Sequence, residues 1–224
     1  LPERYQPIYG PAEWASAARR CDDRAATILT IAKAVSGIEK RRLRVLDLGC
    51  AQGYFGLTLA ANGMQVHGVD VLDANVAVCN ALRKEHALDA TFEVARLQDH
   101  IAAIGHDTYD LVLGLSIFHH VIHSEGLVGA KELLGTLASK VPHAIFELAL
   151  AEEPLHWAPS QPADVRSLLD AYSCVSELGR FPTHLSSISR PIFFASNSAW
   201  WIDGVAEKFD RWSDVSNEFF PAAH

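Results

Sequence analysis

The chain has 224 residues, 49% of them apolar and 21% charged. This is close to the averages of globular proteins and suits one domain better than two. Nineteen Lys and Arg against 27 Asp and Glu give a net charge of −8 with no basic block, which argues against a nucleic acid partner held through its phosphates. Cys21, Cys50, Cys79 and Cys174 form no C-x-x-C pair, so reduced thiols in a cytoplasmic protein are expected rather than a disulfide framework or thiolate zinc site. Apolar stretches such as residues 111–118 are too short to span a bilayer, and no signal peptide or transmembrane segment is expected. The chain starts at Leu1, as a fragment or trimmed chain would.

Residues 1–11, with Pro2, Pro7, Gly10 and Pro11, read as an irregular arm. From Ala12 to about Ser36, Ile28, Ile31 and Val35 fall at helical spacing, and Gly37 reads as the stop. A regular alternation follows. Strands are predicted over Leu43–Leu48, Gln65–Val69, Thr91–Val94, Tyr109–Leu115 and Ala144–Leu148. Between them, helices are predicted over Gly53–Asn62, Asp73–His86 with Asp73 as N-cap, and Leu97–Ile104. The last of the series runs over Glu125–Lys140, with Leu127, Leu133, Leu134 and Leu137 inward. Such alternation implies a parallel sheet with helices on both faces.

After Glu152 the rhythm changes. Pro154, Pro159 and Pro162 mark a loop, a helix is predicted near Val165–Tyr172, and strand-like runs follow at Cys174–Leu178 and Pro191–Ala195. These last two leave no room for a helix between them, so they should pair antiparallel at the sheet edge. The expected domain, 1–224, divides into an N-terminal arm and helix (1–40), a core of alternating strands and helices (41–150) and a C-terminal region of changed rhythm (151–224).

The most informative stretch is Val45-Leu46-Asp47-Leu48-Gly49-Cys50-Ala51-Gln52-Gly53-Tyr54-Phe55-Gly56. Gly49 ends the first strand and Gly53 opens the next helix, at the carboxyl end of the sheet where ligands bind in such folds. The spacing is G-x-x-x-G, which lacks the middle glycine of the dinucleotide fingerprint, and no G-K-[ST] of a P-loop is present. D-x-G-x-x-x-G is the pattern of class I S-adenosylmethionine methyltransferases. The second strand ends at Asp70, 21 positions after Gly49, where a carboxylate can accept hydrogen bonds from a ribose diol. The third strand leads to Arg96-Leu97-Gln98-Asp99, and in these methyltransferases that position faces the adenine amino group.

A closer resemblance rests on Tyr5-Gln6…Tyr9-Gly10, Leu46–Gly53, Gly114-Leu115-Ser116-Ile117-Phe118-His119-His120, Glu152-Glu153-Pro154-Leu155, Ser160-Gln161-Pro162 and Thr183-His184-Leu185-Ser186. Over nearly its whole length the chain resembles the methyltransferase domain of bacterial bifunctional methyltransferase/kinases that terminate O-antigen polysaccharide chains. The resemblance implies a seven-stranded, mostly parallel sheet in the Rossmann-like order 3-2-1-4-5-7-6, with one antiparallel strand. It places Tyr5 and Gln6 over the cofactor and makes Arg24 the partner of the methionine carboxylate, as a guanidinium suits. The expected S-adenosylmethionine contacts are then Tyr5, Gln6, Arg24, Asp47, Gly49, Ala51, Gly53, Asp70, Val71, Leu97, Gln98 and Leu115. The acceptor implied is the terminal sugar or sugar phosphate of a glycan. In that family a kinase domain follows, and these 224 residues leave no length for one. The setting implied is the cytoplasm, at the inner membrane through glycan-assembly partners or a fused kinase.

His119, His120 and His123 are the candidate catalytic residues. They follow the fourth strand directly and no Glu stands between them, so they are read as acceptor-binding or proton-accepting groups and not as metal ligands; no metal is expected. Glu147 is expected to point toward the pocket, and Glu152 and Glu153 to be solvated loop charges. Arg190 reads as a surface charge beside Pro191, or as an anion contact if the acceptor is a phosphate. His184 lies between the last strands, and Trp157, Trp200, Trp201 and Trp212 are packing residues or sugar-stacking platforms. Another small-molecule O-methyltransferase, or a non-catalytic S-adenosylmethionine-binding module in a glycan-assembly complex, are the alternatives.

Overall fold

A computed structural model describes residues 6–10, 21–183, 186–198, 200–203 and 208–211. It begins with α1 (Asp22–Glu39), then alternates β1 (Arg44–Leu48), α2 (Tyr54–Ala61), β2 (Gln65–Asp70), α3 (Asp73–Glu85), β3 (Ala90–Val94), α4 (Leu97–Ala103), β4 (Leu111–Leu115), α5 (Phe118–Lys140) and β5 (His143–Glu147). Strands β6 (Cys174–Phe181) and β7 (Arg190–Ser196) follow two short 3-10 turns, and β8 (Trp200–Asp203) pairs with β9 (Lys208–Arg211) in a separate ribbon.

The main sheet has the order β3-β2-β1-β4-β5-β7-β6. Its strands run parallel except β7, which is antiparallel to both β5 and β6. This is the predicted fold class and order. Both faces of the sheet are dry. Val45, Val66, Leu111 and Ile145 meet α1, α2 and α3 on one side, and Leu46, Val69, Val112 and Phe146 meet α4 and α5 on the other. Side chains two apart share a face, so a continuous apolar strand serves both layers.

Several boundaries differ from expectation. α1 passes Gly37 and stops at Lys40, whose left-handed φ of 52° ends the hydrogen-bond ladder. Asp73 is the first residue of α3 and not its cap; Leu72 holds that position, and its own N–H is taken by Asp70. α5 consists of two helical segments meeting at a kink at Gly126 (φ 78°): the second is the helix predicted from Glu125, and the first, from Phe118, was not predicted because its turns carry histidines rather than a leucine stripe. Leu127, beside that break, is exposed rather than inward. Only a 3-10 turn, Val165–Leu169, forms where a helix was predicted, with Asp164 accepting from the Arg166 N–H at its start.

Candidate active site

The loop after β1 is wound by three residues with positive φ: Gly49 (66°), Ala51 (48°) and Gly53 (80°). A Cβ on Gly49 would lie 2.8 Å from the Ile117 side chain, and one on Gly53 would lie 2.8 Å from Cys79 Sγ. Glycine is therefore demanded at both by space as well as by backbone angle. The Gly49 and Cys50 N–H groups donate to the Val69 carbonyl at 2.9 and 3.0 Å, and Gly53 N–H closes the turn on Cys50 O at 2.9 Å. Gln6 reaches in from the arm, its Nε2 donating to Cys50 O at 3.1 Å. Tyr5 lies outside the described residues.

Asp70 anchors this loop to the next. Its Oδ2 accepts from Ala51 N–H at 2.9 Å, and its Oδ1 accepts from Leu72 N–H at 2.9 Å and Asn75 Nδ2 at 3.2 Å. The carboxylate is thus oriented at the carboxyl end of β2 before any ligand arrives.

Asp47 lies beneath the loop, 3% exposed, and its Oδ2 has no hydrogen-bond partner among the described residues. Burial pushes its carboxyl from the usual 3.8 up to about 7, against the opposing pull of the Gly56 N–H and with a further upward push from Asp70. The folded protein therefore holds this proton to a higher pH than the unfolded chain does. Its contribution to stability is full below pH ~4 and is lost as pH rises toward 7. Asp47→Asn, which keeps an acceptor for Gly56 but carries no charge, should raise the melting temperature at pH 8, by about 2 kcal/mol of stability. At pH 4 the two proteins should melt alike in the same thermal scan.

A cavity of about 550 Å³ opens beyond the carboxyl ends of the strands, a size typical of small-molecule sites. On one side its wall is the loop with Gly49 and Ala51, then Asp70, Leu72 and Asn75. Leu115, Ser116, Ile117, His119 and His120, from the β4–α5 turn, line it next. The opposite wall is Leu155, His156, Trp157 and Arg190. The structure thus brings Gly49, Ala51, Asp70, Leu115, His119 and His120 together around one space.

The far wall corrects two expectations. Arg190 is not a surface charge: it is buried, with Nε and Nη2 each 2.8 Å from the Glu153 carboxylate and Nη1 donating to Ser116 Oγ at 3.1 Å. Its guanidinium lies 5.2 Å from the Trp157 ring centre. Glu153 is accordingly a buried counter-ion, not a solvated loop charge, whereas Glu152 is exposed. Bidentate pairing and an aromatic neighbour make this burial of charge tolerable.

His119 is buried between the rings of Trp157 (4.4 Å between centres) and His120 (4.1 Å). His120 faces the cavity, and its pKa is lowered, first by partial burial and then by the electrostatic influence of His156, Arg190 and His123. His123 stands outside the lining, with Nδ1 3.3 Å from Ser160 Oγ and its ring 5.4 Å from that of His156. His156 is a lining residue that the sequence reading missed. Its only signal was its place in Pro154-Leu155-His156-Trp157, in the stretch read as a proline-marked loop.

Other expected contacts fall elsewhere. Arg24 on α1 is fully buried against Glu147, with Nε 3.4 Å from Oε2 and Nη2 3.5 Å from Oε1. It also donates to Pro182 O and lies over the Phe181 ring. Arg24 and Glu147 thus occupy each other, and neither is in the lining of this cavity. Val71 is exposed, Leu97 is packed in the core, and Gln98 donates to Glu125 Oε1 at 2.6 Å, outside the cavity wall. Gly53 shapes the loop from behind, through its contact with Cys79. His184, Trp212 and the side chains of Trp200 and Trp201 lie outside the described residues.

A family described as a methyltransferase domain matches residues 45–140. The O-antigen chain terminator bifunctional methyltransferase/kinase WbdD of Escherichia coli is 42% identical over 216 residues, covering 96% of this chain and 30% of that protein. The chain therefore spans less than a third of that relative's length. A crystal structure of WbdD superposes with a TM-score of 0.87 at 42% identity, over 91% of this chain and 46% of that one. Magnesium protoporphyrin IX methyltransferase from Synechocystis PCC 6803 with bound S-adenosylmethionine, 23% identical, shares the fold at a TM-score of 0.59 over 80% of this chain and 81% of that one. With its sheet order, its glycine loop and these likenesses, the chain has the class I methyltransferase fold, carries a segment that matches a methyltransferase domain over residues 45–140, and resembles WbdD over nearly all of its own length.

Proposed function

We propose that this domain transfers a methyl group to an oxygen at the end of a bacterial surface glycan, with a terminal sugar phosphate as the first-choice acceptor, and so ends chain growth. The observation that supports this most is the two-sided cavity. The loop with Gly49 and Ala51 and Asp70 form one wall, and a wall of imidazole, aromatic and guanidinium groups, His120, His156, Trp157 and Arg190, faces them. The backbone loop and the pre-oriented carboxylate suit S-adenosylmethionine: Asp70 would take the ribose diol, Ala51 and Gly49 would lie against the cofactor, and Leu115 would pack beside it. When bound, that cofactor supplies a methyl group on a sulfonium, already an activated leaving group.

The chain's own task is then alignment. Trp157 offers a face to a sugar ring. Arg190 is held rigid by Glu153 and Ser116, and because Glu153 neutralises it, ring N–H donors of His120 and His156 at the cavity wall would hydrogen-bond the phosphate oxygens. A phosphate oxygen is ionised at neutral pH and needs no base. On this reading His119→Ala, His120→Ala and His123→Ala each keep measurable turnover at saturating acceptor, the loss falls on acceptor affinity, and the rate varies weakly between about pH 6 and 9.

A second reading, methylation of a sugar hydroxyl, is favoured by one observation. The lowered pKa of His120 keeps its ring neutral and able to accept a proton at the cavity wall. Removing such a base would cost about 10²–10⁴-fold in turnover with acceptor still bound. Turnover of the three variants, followed against pH, separates the two. Screening unrelated small acceptors tests the broader O-methyltransferase alternative, and S-adenosylmethionine binding with no turnover on any acceptor would mark a non-catalytic module.

The relative's name joins a methyltransferase to a kinase, and an accompanying kinase activity would supply the phosphate. No helix among the described residues is long and apolar enough to cross a membrane. The reading places the domain in the cytoplasm, at the inner membrane through its glycan-assembly partners.

A further inference from the structure

His67 on β2, Glu93 on β3 and His100 on α4 come from three elements and meet on the α4 side of the sheet edge. One ligand atom from each lies within 4.8 Å of the others. Glu93 Oε1 is 3.5 Å from His67 Nε2 and 3.0 Å from His100 Nδ1. Four ligands at zinc-like bond lengths of about 2.0–2.2 Å, arranged tetrahedrally, sit about 3.3–3.5 Å from one another. Both spacings are therefore within a few tenths of an ångström of what an ion would impose.

The surroundings also suit a metal. His67 uses its other nitrogen, Nδ1, at 2.6 Å from the Tyr109 hydroxyl, the kind of outer partner that fixes the tautomer and ring plane of a ligating histidine. The His100 side chain is 11% exposed, and its buried Nε2 has no hydrogen-bond partner among the described residues. Its ring stands nearly perpendicular to that of His67, with centres 5.0 Å apart. The Glu93 side chain is 51% exposed, which leaves solvent an approach and a fourth position for water. A shallow cavity of about 210 Å³, lined by His67 and Tyr109, lies alongside.

We propose that His67, Glu93 and His100 bind one divalent transition-metal ion, Zn²⁺ by the chemistry of a two-imidazole, one-carboxylate set. None of the three lines the cavity of the candidate active site. The ion would tie edge strand β3 to β2 and α4.

The test uses the whole chain, purified and stripped by chelation, then titrated with Zn²⁺ in competition with a chromophoric chelator. Thermal melts with and without Zn²⁺ accompany it. Expected are one equivalent bound per chain and a melting temperature raised by about 5–10 °C at a hundredfold excess over Kd. Glu93→Gln and His100→Gln should each lose at least tenfold in affinity, while His106→Gln, at an exposed histidine elsewhere, should not. Co²⁺ in place of Zn²⁺ should give the intense visible absorption of a four-coordinate site in the parent and lose it in both ligand variants. Glu93 is half exposed, so its variant should fold even if that of His100 does not. Absence of one-equivalent binding, or Zn²⁺ bound equally by the parent and the Glu93 variant, would overturn the proposal.

Discussion

Asp70→Ala should weaken S-adenosylmethionine binding by about 10- to 100-fold in calorimetry while the protein stays folded. An ionised carboxylate offers about four acceptor positions, and the chain already fills three with Ala51 N–H, Leu72 N–H and Asn75 Nδ2. A ribose diol gains the fourth, and it gains a second only if Asn75, the longest of the three bonds at 3.2 Å, gives way. One hydrogen bond to a charged acceptor is worth about 1.5–3 kcal/mol, or roughly ten- to 150-fold. Releasing Ala51 and Leu72 also loosens the loop, so the cofactor meets a less ordered site. Asp70→Asn should fall between the two, since it keeps an acceptor but loses the charge. Unchanged affinity in a folded Asp70→Ala protein would remove Asp70 from the cofactor site.

The second large effect is on stability. Arg190→Met removes one half of a fully buried ion pair and leaves Glu153, 0% exposed at its side chain, without its guanidinium. Breaking a buried pair from one side costs about 3–5 kcal/mol, which lowers the melting temperature by roughly 6–20 °C in a chain of this size. Replacing both partners, Arg190→Met with Glu153→Leu, leaves no orphaned charge and should recover most of the loss. The same double variant should bind acceptor poorly, because Ser116 and Trp157 lose the group that positions them. A single variant that melts within about 2 °C of the parent would show that the pair does not hold this wall together.

How much of this was legible follows from the range of each interaction. The parallel sheet and its glycine loop were legible because alternation and glycine spacing are local patterns, whereas the strand order followed from the family resemblance; Asp70 ends β2 and lines the cavity beside that loop. Arg190 and Glu153 are 37 residues apart, and Arg24 and Glu147 are 123 apart. A single sequence carries no mark that two such charges meet, so each was assigned to solvent or ligand on its own. Glu153 illustrates the error: in a proline-marked loop a glutamate reads as solvated, yet the turn at Leu150–Leu155 folds it inward onto β7. The first turns of α5 were missed for another reason. Histidines at the cavity wall displaced the leucine spacing that announces a helix, and the stripe resumed only after Gly126. The His67, Glu93 and His100 cluster has no motif spacing, because strand pairing and the packing of α4, not sequence proximity, bring it together.

The central claim is tested most directly by transfer of isotopically labelled methyl from S-adenosylmethionine to paired glycan acceptors, identical except for a phosphate on the terminal sugar. The account predicts label on the phosphorylated acceptor alone, recovered as a methyl phosphodiester that resists a phosphomonoesterase, with a rate nearly flat across neutral pH. Label on a hydroxyl of the unphosphorylated acceptor, with a rate that rises through the imidazole range and vanishes in His120→Ala, would contradict it.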